Sequence, residues 1–200
     1  MDAGTTLADS PGMEATTGFN PSAVVPRRAG LRERLASFFP FDEIGGDAAA
    51  RLQFYLRGSD AIVMHRCRVP GTRGRISHVV VGPAGVTVVD SRNYKGRKAT
   101  VRSRQLLVGK RDRADLIEGV LVHAGRVRGL LADTPYADVD VNAALAWGRV
   151  EGSRSVQHVD GTRVTVWGTG RIAGEAARPG PLSSREIESL ASYLADELSA

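Results

Sequence analysis

The 200-residue chain has a single cysteine, Cys67. No internal disulfide framework can brace it, which suits a reducing compartment and points to the cytoplasm. Aromatic residues make up only 6%, so a core has to come from Val, Leu, Ile and Ala. No apolar run approaches the roughly 20 residues of a membrane span, so no membrane partner is expected. The first stretch, MDAGTTLADSPGMEATTGF, has neither a basic n-region nor an apolar h-region and does not read as a Sec signal. The stretch after Arg27-Arg28 is too short and too charged for a twin-arginine signal. There is no Walker A loop and no G-x-S-x-G elbow. Gly168-Thr169-Gly170 lacks the third glycine of a dinucleotide loop, since position 173 is Ala, and reads as a turn. His65 and Cys67, expected on one strand face at i, i+2, do not make a common zinc motif.

The most informative shortage is of acid. Between Arg66 and Arg113 the only carboxylates are Asp90 and Asp112. The same span holds Arg73, Arg75, Arg92, Lys95, Arg97 and Lys98 among its bases, and the whole chain carries +5. A region so one-sided suits a polyanion such as DNA or RNA, the bland alternative being an ordinary solvated surface.

What is present divides into a tail and one domain. Residues 1–30, rich in Thr, Gly, Ser, Ala and Pro without a period, read as a disordered tail. Residues 31–44 read as a short helix from Leu31 to Phe39, stopped by Pro40, and a linker. From 45 to 200 the periodicities alternate. A helix is expected over Asp47–Arg57, with Leu52, Tyr55 and Leu56 inward, and a strand over Asp60–Cys67. Short strands follow over Lys98–Ser103 and Gln105–Val108, then a long helix to Leu131. A buried strand is expected at Val139–Trp147, and a hairpin about Asp160-Gly161 with Thr162–Trp167 as its second arm. A short helix over Arg171–Ala177 comes next. The last helix is capped by Ser183 with Glu186 three residues on. That order implies an α/β (α+β) fold, a central mixed β-sheet flanked by helices.

The organising stretch is RISHVVVGPAGVTVVDSRNYKG, Arg75 to Gly96. Two β-branched runs flank Gly82-Pro83-Ala84-Gly85, so Ile76–Val81 and Val86–Asp90 read as an antiparallel hairpin. A symmetric turn places Ser77 opposite Asp90, on one face, with Arg92 on that face two residues later. His78 then points the other way, as a structural histidine. Cys67, inside a strand, reads as core rather than nucleophile.

At these residues the chain resembles the nuclease-related domain (NERD) family, a branch of the PD-(D/E)XK nuclease superfamily. The resemblance rests on the pattern I-x-H-V-V-V-G-P-x-G-V-x-V-V-D-x-x-x-Y-x-G and runs from about Gly45 to the C-terminus. It implies a restriction-endonuclease-like core and a site using Mg²⁺ or Mn²⁺. It also implies acids at the positions of Ser77 and Asp90, a lysine at that of Arg92, and a helical Glu that aligns with Ala50. Of these acids this chain keeps Asp90.

Mg²⁺ takes oxygen ligands, and here Asp90 offers one carboxylate while Ser77 is a neutral, weak ligand. Asp47, one helical turn before Ala50, could supply a second metal-binding carboxylate or could simply cap its helix; Glu43 is a poorer candidate. Arg92 cannot act as a base but can grip a phosphate with two N–H groups. Asn93 and Tyr94 could touch sugar or base. The leading expectation is a degenerate nuclease-fold domain that binds nucleic-acid backbone. Asp90, Arg92 and Ser77 would mark the old site, and Arg73, Arg75, Lys95, Arg97 and Lys98 would contact phosphates. The alternatives are an active Mg²⁺ or Mn²⁺ nuclease using Asp90 with Asp47, and a structural or partner-binding domain.

Overall fold

A computed structural model describes Met1 and residues 46–72, 74–92, 98–102, 104–152, 155–157 and 161–199, with the side chain of Asp47 outside the description. The expected tail and the Leu31–Phe39 helix lie outside the described residues.

The elements in chain order are α1 (Gly46–Tyr55), β1 (Ile62–Arg68), β2 (Arg75–Gly82), β3 (Gly85–Ser91), β4 (Ala99–Arg102), β5 (Gln105–Val108) and β6 (Arg111–Asp112). After them come α2 (Ala114–Leu131), β7 (Val141–Ala146), β8 (Val150–Gly152), β9 (Ser155–Gln157), β10 (Arg163–Trp167), α3 (Thr169–Ala176) and α4 (Ser184–Glu197). Six strands form a mixed sheet in the order β1-β2-β3-β7-β10-β9. Its centre is parallel, β3 to β7 to β10, and its margins are antiparallel. The architecture is the mixed α/β fold expected.

The expectation of one sheet is corrected. Strands β6-β5-β4-β8 make a separate four-stranded sheet. The reason lies in edge occupancy: β3 is paired by β2 on one side and β7 on the other, so the β4–β5 hairpin has no edge of β3 to join.

The β2–β3 hairpin has the expected register, with Val79 opposite Val88 and Gly82 opposite Gly85. Gly85 takes φ +114, and a Cβ there would press on the Asp140 carbonyl, so both conformation and space call for glycine. The period of two sends Val79, Val81, Val86 and Val88 to one core, under α2 and α4. Val80 and Val89 go to the other, with Leu52 of α1, Leu56 directly after it, and Ile172 and Ala176 of α3. Fully burying each such side chain is worth about 1.5–3 kcal/mol, so the sheet is held from both faces.

The helices carry the expected signals. α2 buries Leu116, Ile117, Val120, Ala124, Val127 and Leu131. α4 starts with the full capping box: Ser183 Oγ accepts from the Glu186 amide, and the Glu186 carboxylate accepts from the Ser183 amide.

Two local expectations fail. Tyr55 points outward, 52% exposed, because Leu52 and Leu56, four residues apart, already define the buried stripe of α1. His65 and Cys67 do not share a face. Arg66 has φ +54, a left-handed value, and this interrupts the alternation of β1. Cys67 therefore joins Ile62 and Met64 in the α2/α4 core, while His65 turns to the α1 side, bonded to Gln53.

Candidate functional site

The pairing of β2 with β3 runs out to His78 and Val89, and the same register leaves Ser77 and Asp90 facing each other at the open end of the hairpin. Ser77 Oγ donates to Asp90 Oδ1 at 2.5 Å. Arg92 folds back along the same side and donates from Nε and Nη2 to Asp90 Oδ2, at 3.2 and 2.9 Å. The three side chains expected to meet do meet. The carboxylate is buried, with its side chain 5% exposed, while that of Arg92 is 49% exposed. The guanidinium thus covers the acid and presents its remaining N–H groups to solvent.

A neighbour of this cluster comes from far along the chain. His123 of α2 lies within electrostatic reach of Asp90, Arg92 and Arg126. Burial holds its imidazole below the ordinary value; Asp90 opposes this, and Arg126 and Arg92 add to it. Its Nδ1 is buried without a hydrogen-bond partner among the described residues, and so is Arg66 Nε. The register that pairs His65 with His78 and Cys67 with Ile76 sets Arg66 opposite Ser77. Two unspent polar nitrogens therefore belong to elements that frame the Asp90 end of the hairpin. Sequence reading did not single out His123. Its signal was positional: it stands three residues after Val120 and four before Val127, inside the apolar stripe of a helix.

Behind the hairpin runs a second polar chain. Gln53 Nε2 lies 3.2 Å from His65 Nε2, His65 Nδ1 2.7 Å from His78 Nδ1, and His78 Nε2 3.1 Å from Ser91 Oγ. Donors and acceptors alternate along this line when both rings are neutral and one is the tautomer partner of the other. Burial favours that state, lowering His65 to about 4 and His78 to about 3. His78 is thus the structural histidine expected, tied to the residue between Asp90 and Arg92. Cys67 is buried, and burial pushes its thiol up to about 12, which makes it core rather than nucleophile.

The remaining expected site residues fall as follows. Arg75 is exposed at the start of β2. Lys98 stands beside the second sheet, its Nζ 2.7 Å from the Glu151 carboxylate. Arg73, Asn93, Tyr94, Lys95 and Arg97, and the Asp47 side chain, lie outside the described residues. α1 itself rests on the Val80/Val89 face, and Asp90 opens on the other.

A divalent metal of the kind the fold implies needs converging oxygen ligands. Both oxygens of Asp90 are engaged, one by Ser77 and one by Arg92. Among the described residues, no group of three or more His, Cys, Asp or Glu gathers anywhere. The described donor set does not fit Mg²⁺ or Mn²⁺. Nor is any described helix long and apolar enough to cross a membrane.

No curated protein and no solved structure matches the chain. A family model does match, over residues 45–146, the stretch that runs from α1 through the hairpin and α2 to the end of β7. Taken with the mixed sheet and the Ser77–Asp90–Arg92 cluster at the open end of its central hairpin, that match places this chain in the nuclease-related domain (NERD) family, within the PD-(D/E)XK superfamily.

Proposed function

We propose that this domain binds the sugar–phosphate backbone of nucleic acid at the Arg92 end of the hairpin and does not depend on cutting it. The observation that carries the reading is the state of Asp90: its carboxylate is spent on Ser77 and Arg92, and what reaches the surface is a guanidinium. A guanidinium held flat by an acid behind it suits the planar recognition of a phosphate. Arg75, with Arg73, Lys95 and Arg97 near it or Arg92 in the sequence, would add phosphate contacts that carry no sequence information.

The test is fluorescence anisotropy of a labelled oligonucleotide with the full chain, over a range of salt. Micromolar-class binding that weakens steeply between low and moderate salt is expected, with a large loss in Arg92→Ala. Binding indifferent to salt would count against the reading. Incubating plasmid and single-stranded DNA with Mg²⁺ or Mn²⁺ separates it from the nuclease reading. Metal-dependent cutting that Asp90→Ala abolishes would establish an enzyme that recruits another acid, with Asp47 the first candidate. Charge reversal at Arg92 and Arg97 with no effect on the protein's cellular role would favour a structural or partner-binding domain.

A further inference from the structure

We propose that the site selects single-stranded nucleic acid, because the carboxyl edge of the parallel strands leads from Arg92 to an exposed stacking platform built by α1, β10 and α3. This rests on the backbone-binding reading above and adds to it the strandedness of the ligand.

Phe54 and Tyr55, neighbours at the end of α1, are 61% and 52% exposed. Among the described residues the other exposed large apolar side chains are Met1 and Val122, so the aromatic exposure is concentrated at this one place. The two rings meet edge to face, 5.5 Å apart at 78°. Tyr55 lies against the first turn of α3, where a Cβ on Gly170 would come within 3.0 Å of its ring; glycine there lets the ring lie close. Trp167, the last residue of β10, is half-buried against the core that α1 and α3 cover. Each end of the cluster carries a guanidinium over a ring: Arg57 lies 5.7 Å from the centroid of Phe54, and Arg171 lies 4.6 Å from that of Trp167.

The platform and the phosphate anchor share one edge. Ser91, Ala146 and Trp167 stand in a row across β3, β7 and β10, since Ser91 pairs with Ala146 and Ala146 with Trp167. Arg92 follows Ser91 directly. Neighbouring strands are about 4.8 Å apart, so about 10 Å of sheet edge separate the backbones at Ser91 and Trp167. The Arg92 guanidinium lies on the α2 side of the sheet and α1 on the other, so a bound strand passes over this edge from one to the other. Charge favours the same guest. From Ala48 to Ser59 the only charged residues are Arg51 and Arg57, and from Val164 to Gly174 the only one is Arg171. The acids that follow these segments, Asp60 and Glu175, are each engaged, by Ser184 and by Arg178.

Exposed rings interleaved with guanidinium groups bind bases through their faces. In a duplex those faces are already stacked, and only an unpaired strand can offer its backbone to Arg92 and its bases to Phe54 and Tyr55. The site should therefore rank a single strand above a duplex of the same sequence.

The experiment measures anisotropy of a labelled oligodeoxythymidine and of a labelled duplex with the full chain, for wild type, Phe54→Ala, Phe54→Trp and Arg92→Ala. Phe54 is exposed, so its substitution leaves the fold intact, which circular dichroism checks. The expected result is tighter single-strand binding by wild type, with quenching of tryptophan fluorescence. Phe54→Ala should lose about 5- to 100-fold on the single strand, leave the duplex unchanged, and be rescued by Phe54→Trp. Arg92-dependent binding that Phe54→Ala leaves intact, or equal affinity of wild type for both ligands, overturns the platform and leaves the backbone reading standing. Failure of wild type to bind either ligand removes both.

Discussion

Arg92 spends two N–H groups on one oxygen of Asp90, while Ser77 holds the other oxygen. The acid is buried and its cationic partner is half in water. Removing either partner therefore has unequal consequences. Arg92→Ala strands a buried carboxylate and should cost about 1–2 kcal/mol, less than for a fully buried pair because water reaches the guanidinium. Asp90→Ala frees an arginine that can turn to solvent, so its own loss of hydrogen bonds is the smaller part of its effect. Urea unfolding of the two variants tests the order; a costless Arg92→Ala would show that the ion pair holds nothing.

Ser77→Ala removes a hydrogen bond to an ionised group and should cost about 1.5–3 kcal/mol. Ser77→Asp, which restores an acid where the resemblance implies one, should be worse than Ser77→Ala in the absence of metal, because two carboxylates then face each other in a buried place. Added Mn²⁺ should narrow that gap in unfolding midpoint. A Ser77→Asp protein as stable as wild type without metal would contradict the picture of a pocket short of room for a second charge.

His65 and His78 are neutral in the fold and lowered from 6.5 to about 4 and about 3, by burial. Below about pH 6.5 the unfolded chain takes up protons that the folded one refuses. Their contribution is thus complete above that pH and is lost as the pH falls toward the folded values, at up to about 1.4 kcal/mol per pH unit for each ring. Urea midpoints between pH 7.5 and pH 4.5 should fall less steeply for His65→Gln than for wild type. Parallel curves would remove the histidine pair as the cause.

Gly85→Ala meets both a φ of +114 and the Asp140 carbonyl. The cost should exceed the roughly 1 kcal/mol of a simple glycine-to-alanine conformational penalty, read as a lowered melting temperature. Ser183→Ala, by contrast, removes one cap on an exposed helix start and should cost about 1 kcal/mol. A Gly85→Ala protein as stable as Ser183→Ala would mean that the turn relaxes freely.

The hairpin was legible because its signals are local: a Gly-flanked turn fixes the register, and the register fixes which side chains meet. Ser77, Asp90 and Arg92 follow from that alone, and the capping box of α4 is equally local. Other features depend on choices that no short window contains. His123 comes near the cluster through the packing of α2 on β3 and β7. The positive φ of Arg66 has no mark in the sequence, since left-handed backbone is signalled by glycine or asparagine and seldom by arginine. The second sheet arises because β7, fifty residues downstream, takes the edge that β4 would have used. Tyr55 looked like core by its helical spacing from Leu52, and the packing shows that Leu52 and Leu56 already fill the stripe.

β3 is laced to a neighbour along each of its edges, and its pairing with β7 persists to Ser91, one residue short of Arg92. Such a ribbon has no free margin at which to bend or breathe. Whatever docks at its tip will meet a stiff jig rather than a glove, and affinity there will be decided by how well the visitor already matches it.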